Sequence, residues 1–367
     1  MPQNRIQRLQ AELRRREIDC LAVIPGPNLF YLTGVDLHLM ERPTVGFVPA
    51  EGKPMFALPL LEVNKLQEGL TYEADIVSYS DDDGPQAAFR AAMAALPEVH
   101  RIAVEDLKMR LLEFKLLRQH IPTAEYVPAE PVMSALRACK TADEVTQMRR
   151  AVAVAEQALE QMTTAVRPGM TEQEIANRLV IELFQAGGGA LSFQPIVLSG
   201  PRSALPHGVP SSRVVQEGEI LLMDLGATSA GYVSDITRTF VVGGEPSPRL
   251  RGIYEVVRAA NAAGCAAAKP GAACQAVDRA AREVIVDAGY GEQFFHRTGH
   301  GIGLEEHEEP YMVEGNTQPL APGMTFTVEP GIYFPDFGGV RIEDDVLITA
   351  DGAESLTTFD RALRRVG

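Results

Sequence analysis

Residues 167–187, RPGMTEQEIANRLVIELFQAG, and residues 269–289, KPGAACQAVDRAAREVIVDAG, set the architecture of the second half of this chain. Each opens on a basic residue followed by Pro-Gly and closes on Ala-Gly, and 18 residues separate the two glycines in both (Gly169 to Gly187, Gly271 to Gly289). The pattern between the glycines is helical, pinned in the first copy by a capping box of Thr171 with Glu174 that the second copy lacks. A long helical pattern precedes each copy, and a histidine-bearing stretch follows it. A strand entered through glycine comes next, Gly218 leading to Asp224 and Gly323 to Glu329, six residues on in both cases. A second carboxylate follows on the next strand of each half, Asp235 eleven residues after Asp224 and Glu343 fourteen residues after Glu329. The spacing predicts an α+β domain of two αα-plus-hairpin halves, related by a pseudo-twofold, with the acids facing one another in the middle.

A duplication kept for packing explains matched helix lengths but not matched acids. Asp224 follows the apolar run Ile220 to Met223 and Glu329 follows Phe326 to Val328, and a carboxylate in a buried strand is costly unless paired or metal-bound. Five groups assemble: Asp224, Asp235, His300, Glu329 and Glu343. Four carboxylates and an imidazole suit Mn²⁺, with Co²⁺ and Zn²⁺ also compatible, and four converging negative charges require two divalent ions. Two such ions activate water at neutral pH and polarise a carbonyl, as hydrolysis of an amide demands. A lone histidine is ordinarily a core or surface group, but His300 stands between Gly299 and Gly301, where the backbone can approach a ligand closely. His207 and His307 occupy corresponding places in the two halves; as surface imidazoles they would do nothing, and as cleft residues they would bind substrate and the developing oxyanion.

Working outward, 367 residues exceed what one hydrophobic core supports, so two domains are expected, residues 1–131 and 132–367, divided where Pro128 and Pro131 punctuate the chain. The first alternates helix and strand: a helix through Ile6, Leu9 and Leu13, strands at Leu21–Ile24, Thr44–Val48 and Met55–Leu60 with a hairpin across Glu51-Gly52, a strand Ile76–Tyr79, a helix Ala87–Ala95, a strand Ile102–Val104, a helix from Leu107 to about Leu117 and a strand near Tyr126. That is an α/β domain on a mixed sheet. A net charge of −15 and only short basic runs exclude a nucleic-acid partner. Cys20, Cys139, Cys265 and Cys274 form no CxxC pair, which fits a reducing cytosol rather than a disulfide framework. No run approaches the roughly 18 apolar residues of a membrane span, and the N-terminus lacks an apolar signal core.

The stretches Met223-Asp224-Leu225-Gly226-Ala227, Ser234-Asp235-Ile236-Thr237-Arg238-Thr239, Thr298-Gly299-His300-Gly301-Ile302-Gly303, Val328-Glu329-Pro330-Gly331-Ile332-Tyr333 and Arg341-Ile342-Glu343-Asp344 together resemble the pita-bread metallopeptidases, specifically the Xaa-Pro dipeptidases (prolidases) and Xaa-Pro aminopeptidases. The first domain is similar to the creatinase-type domain those enzymes carry. The resemblance implies that Asp235 and Glu343 bridge two metal ions, that Asp224 binds one, and that His300 and Glu329 bind the other. It also implies that Glu329 handles the proton of the attacking water, that His307 and His207 contact substrate and stabilise the tetrahedral intermediate, that Arg341 positions substrate or Glu343, and that two copies form a homodimer. His296 is read as a supporting residue rather than a ligand. Methionine aminopeptidases share the ligand set but usually lack the first domain, creatinase lacks the ligand set, and noncatalytic relatives have eroded ligands. The implied substrate is a proline-containing dipeptide, with longer Xaa-Pro peptides the alternative. The polar cluster Asp36, His38, Glu41 and Arg42 is either a solvated loop or a segment that reaches a substrate terminus across a dimer.

Overall fold

The computed structural model describes residues 2–367 and divides into two compact units, the first ending at Arg137 and the second beginning at Ala138. In the first unit, helix α1 (Pro2–Arg15) buries Ile6, Leu9 and Leu13, the stripe their spacing predicts. Strands β1 (Cys20–Val23), β2 (Val45–Pro49), β3 (Met55–Pro59), β4 (Asp75–Tyr79), β5 (Arg101–Val104) and β6 (Glu125–Pro128) form one mixed sheet in the order β4-β3-β2-β1-β5-β6. The β2 strand runs antiparallel to both neighbours and the other pairs are parallel. Residues of β1 to β3 are buried on both faces, which is why they read as nearly continuous apolar runs. Helices α2 (Pro27–Thr33), α3 (Val63–Gly69), α4 (Pro85–Ala95), α5 (Leu111–His120) and α6 (Glu130–Arg137) complete the unit.

Helices α2 and α3 are not read from the sequence, and two further elements differ from its reading. Helix α5 begins at Leu111 rather than Leu107, because the N–H groups of Lys108 and Met109 donate to the Glu105 carbonyl and close a turn that leaves Leu107 85% exposed. Helix α6 occupies the stretch read as punctuation, and the division expected after residue 131 falls inside it. Pro131 is the second residue of α6, where no intrahelical N–H is needed, so it starts a helix instead of breaking one. Asp36 and His38 are exposed in the segment after α2, while Arg42 donates to Asp81 at 2.6 and 2.7 Å and also pairs with Glu41.

The second unit holds two helix pairs, α7 (Ala142–Ala165) with α8 (Glu172–Gln185) and α9 (Pro248–Ala267) with α10 (Cys274–Asp287). The capping box is present at α8: Glu174 N donates to Thr171 Oγ1 at 3.1 Å and Thr171 N to Glu174 Oε2 at 2.7 Å. Ala273 before α10 offers no side-chain cap. After the first pair come β7 (Ile196–Ser199), β8 (Ile220–Leu225), β9 (Thr228–Ser229), β10 (Tyr232–Val233) and β11 (Ile236–Val242). After the second come β12 (Gly299–Gly301), β13 (Glu308–Met312), β14 (Thr325–Val328), β15 (Gly331–Phe334), β16 (Gly338–Arg341), β17 (Asp344–Ile348), β18 (Ala353–Ser355) and β19 (Arg365–Val366). One sheet runs β19-β11-β8-β7 and the other β13-β12-β14-β17-β18, so the triplets β11-β8-β7 and β17-β14-β12 repeat the same order. The internal repeat is therefore structural as well as sequential, and the acid-bearing strands lie next to each other in each sheet.

Of the four acids, only Asp224 lies within a strand, β8. Asp235 stands one residue before β11, Glu329 one residue after β14, and Glu343 in the gap between β16 and β17. Gly226, two residues past Asp224, has no room for a side chain: a Cβ there would lie 1.9 Å from Ser192 Oγ and 2.0 Å from the Ser234 carbonyl oxygen. Gly226→Ala must displace backbone next to Asp235, at a cost of about 3 kcal/mol. The expected fall in melting temperature is roughly 6–12 °C, and a thermal melt unchanged within 2 °C of the parent (about the smallest shift per kcal/mol for a unit of this size) would contradict the close packing.

Candidate metal centre

The five residues singled out from the sequence converge on one buried locus of the second unit. Asp224 and Asp235 are each 6% exposed, and His300 and Glu343 each 2%. One carboxylate oxygen each of Asp235 and Glu343 and one ring nitrogen of His300, atoms able to hold a metal ion, all lie within 4.8 Å of one another. His300 Nε2 is 3.3 Å from Glu329 Oε1 and 3.9 Å from Asp235 Oδ2. Its Nδ1 lies 3.2 Å from the Gly301 carbonyl, which can only accept, so Nδ1 carries the proton and the Nε2 lone pair faces the acids.

The electrostatics show why this cluster is incomplete without a cation. Burial, and then the charges of Glu343 and Asp224, push Asp235 well above the usual carboxylate range. Burial and the charges of Glu329 and Asp224 do the same to Glu343. Glu329 is pushed up to about 7, chiefly by burial, with Arg341 offsetting and Asp224 adding. His300 is held well below its ordinary value by burial and then by His307, and so stays neutral, the form a metal ligand requires. Asp224 Oδ1 and Asp235 Oδ1 are buried without a hydrogen-bond partner. Buried polar atoms are rarely left so, and a divalent ion satisfies both orphaned oxygens while removing the repulsion. An all-oxygen set with one imidazole fits Mn²⁺, Co²⁺ or Zn²⁺.

Supporting side chains fix the acids. Thr237 Oγ1 donates to Glu343 Oε2 at 2.6 Å and accepts from Arg341 Nε at 3.0 Å, while Arg341 Nη2 donates to Asp224 Oδ2 at 2.5 Å. Arg341 thus ties an acid of the first half to one of the second. Arg341 Nη1 also donates to Tyr333 Oη at 3.1 Å. His296 Nδ1 donates to the Arg297 carbonyl at 2.7 Å, leaving Nε2 to accept from Tyr333 Oη at 3.0 Å. His296 therefore belongs to the Arg341 chain rather than to the acid cluster, and burial, followed by Arg341, lowers it to about 4. The main-chain N–H of Asp235 donates to Asp345 Oδ2 at 3.1 Å.

A cleft of about 260 Å³ opens over these groups, with His207, His296 and His307 in its wall. The His307 ring lies 3.9 Å from that of His300, and its Nδ1 accepts from Arg297 Nη2 at 3.3 Å. Burial, and then Arg297 and His207, push His307 down to about 4, so it is a neutral imidazole with its Nε2–H free to donate toward the cleft. Thr237, Tyr333 and Asp345 were not singled out from the sequence. For Thr237 a signal exists: Asp235, Thr237 and Thr239 fall at every second position around β11, which places three polar side chains on one face of the strand. Tyr333 and Asp345 carry no such mark.

The geometry agrees with what the chain resembles. Residues 146–350 match the model of metallopeptidase family M24, and residues 5–139 match that of the creatinase/prolidase N-terminal domain. A putative dipeptidase, YkvY, of Bacillus subtilis is 36% identical over 98% of this chain and 99% of its own. The crystal structure of a recombinant prolidase from Thermococcus sibiricus superposes with a TM-score of 0.95 at 36% identity, covering 100% of this chain and 99% of that one. An X-Pro aminopeptidase from Thermotoga maritima gives 0.86 at 30% identity, covering 98% and 99%. With the buried acid cluster, its orphaned oxygens and these full-length matches in hand, the chain belongs to metallopeptidase family M24 and is a metal-dependent peptidase with a creatinase/prolidase-type N-terminal domain.

Proposed function

We propose that this peptidase hydrolyses the bond between an N-terminal residue and proline in Xaa-Pro dipeptides, using two divalent ions, Mn²⁺ foremost, held by Asp224, Asp235, His300, Glu329 and Glu343. The observation that carries the reading is the convergence of all five groups in a chain that matches a prolidase from end to end. Such ions supply an activated water near neutral pH and polarise the scissile carbonyl. Asp224 of the first half and His300 and Glu329 of the second would hold the ions together with Asp235 and Glu343. Glu329, 3.3 Å from His300 Nε2 and in the wall of the cleft, takes the proton of the attacking water and returns it to the departing proline nitrogen. His307 Nε2–H and His207 meet the oxyanion from the cleft wall. Arg341 holds Asp224 directly and Glu343 through Thr237.

A second reading, Xaa-Pro aminopeptidase, is supported by the full-length likeness to the Thermotoga maritima enzyme. We also propose a homodimer, and a cytosolic location that the four free cysteines suit. The deciding experiment is turnover of matched Xaa-Pro dipeptide and tripeptide by metal-stripped protein titrated with Mn²⁺, beside a Met-Ala peptide. Cleavage confined to the dipeptide is expected. Tripeptide cleavage moves the assignment to the aminopeptidase, and metal-dependent cleavage of Met-Ala without any Xaa-Pro cleavage sinks both.

A further inference from the structure

A buried ion pair lies beneath the His300 strand, outside the acid cluster. Lys140 Nζ donates to Glu308 Oε1 at 2.7 Å and to the Ala138 carbonyl at 3.3 Å, with the two side chains only 2% and 6% exposed. Lys140 is itself fixed from behind, because its N–H donates to the Gly323 carbonyl at 2.7 Å at the entry to β14. Glu308 is the first residue of β13 and immediately follows His307. It pairs across the sheet with Gly301, the neighbour of His300.

Between Gly301 and Glu308 the chain makes the loop that carries His307. The pair fills the inside of that loop: a Cβ at Gly303 would lie 2.6 Å from Glu308 Oε1 and 2.8 Å from Lys140 Cε. Gly303 is therefore the residue that admits the pair. The loop tip is exposed, yet its His307 ring is placed 3.9 Å from the His300 ring. Taking two charges out of water is expensive, and an apolar pair would fill the same space with less desolvation, so stability alone does not account for an ion pair here. A short charged bond does supply what packing cannot, a fixed direction for the residue next to His307.

We propose that Lys140 and Glu308 are positioning residues, whose bond holds the residue 302–307 loop so that the His307 imidazole faces the reacting carbonyl. The inference rests on the reading of His307 as a substrate-contacting group. Misplacing a catalytic group by about an ångström costs as much as a hundredfold in rate. Glu308→Gln, which keeps shape and weakens the bond, is expected to lower kcat/KM for an Xaa-Pro dipeptide ten- to hundredfold, with Mn²⁺ affinity unchanged.

The test is a double-mutant cycle with His307→Ala together with amide hydrogen exchange across residues 302–308 of the full chain. Faster exchange in Glu308→Gln, and loss of its kinetic effect in the His307→Ala background, support the proposal. Unchanged exchange, or a kinetic loss that multiplies undiminished onto His307→Ala, overturns it. Should His307→Ala alone leave kcat/KM unaltered, the role given to His307 fails, and the exchange result still decides whether the pair holds the loop. If Glu308→Gln yields too little folded protein, Lys140→Met removes the same bond from the other side and is read by the same two measurements.

Discussion

Glu343→Gln is expected to reduce Mn²⁺-dependent turnover at least a thousandfold while leaving the metal-free protein as stable as the parent or more so. The first half follows from the position of Glu343 between the other acids. In the two-ion centre proposed above, losing this charge would remove several kcal/mol of stabilisation from the attacking water and the developing oxyanion, and each 1.36 kcal/mol is a factor of ten. The second half separates a ligand from a structural residue. Without metal, burial and the charges of Glu329 and Asp224 disfavour ionised Glu343, and folding at neutral pH must either retain its proton or bear that repulsion. Glutamine removes the charge, keeps the volume, and still accepts the Thr237 hydroxyl that now sits 2.6 Å from Oε2. Turnover with added Mn²⁺ and thermal melts in chelator at pH 7.5 measure the two effects. A melting temperature several degrees below the parent in chelator would mean that Glu343 is held for folding rather than for metal.

The second large effect is the response to metal removal, which is expected to depend on pH. In the metal-free protein the folded-state proton affinities of Asp235 and Glu343 lie well above ordinary carboxylates, and that of Glu329 reaches about 7. In the unfolded chain all three titrate near 4. Between those values these acids hold more protons in the folded state than in the unfolded chain, so their contribution to stability is intact below about pH 4 and declines as pH rises through about 7, while the lowered proton affinities of His296, His300 and His307 act in the opposite sense below about pH 6.5. Metal binds the deprotonated groups and releases those protons, so its affinity climbs through the same window. Melting temperatures with and without Mn²⁺ should therefore diverge with rising pH. Metal at 100 to 1,000 times its dissociation constant contributes about 2.7–4.1 kcal/mol, or roughly 5–15 °C for a unit of this size. The expected gap is of that order at pH 8 and a small fraction of it at pH 5.5. A gap of equal size at both would show that the acids are not the metal's ligands.

Much of this was legible in residues 138–367 because the repeat is written twice. Two helices of matched length, each closing on Ala-Gly, and two acids at matched distances from a glycine are periodic signals, and the structure returns them as β11-β8-β7 and β17-β14-β12. In the first unit, short apolar runs identify β1 to β6 and a 3.6-residue period identifies α1, since the burial that stabilises each element is the burial that selected its apolar residues. The misread elements are those where a local rule has two outcomes. Proline ends a helix from inside and starts one at its first turn, so Pro131 is compatible with either until α6 is seen. An apolar run from Leu107 reads as one helix until Glu105 captures two N–H groups and turns the chain.

By itself, then, the sequence determined the two-unit organisation, the doubled helix and strand pattern, and the residue types of the acid cluster, because each of these is encoded in short-range spacing and in the cost of burying charge. Only the tertiary structure decided how the cluster is held. Arg341 and Asp224 are 117 residues apart, Thr237 and Glu343 106, and Lys140 and Glu308 168. No local pattern marks such partners, since each bond exists only after the two halves have folded back on one another and left the burial of one charge to be answered by the other.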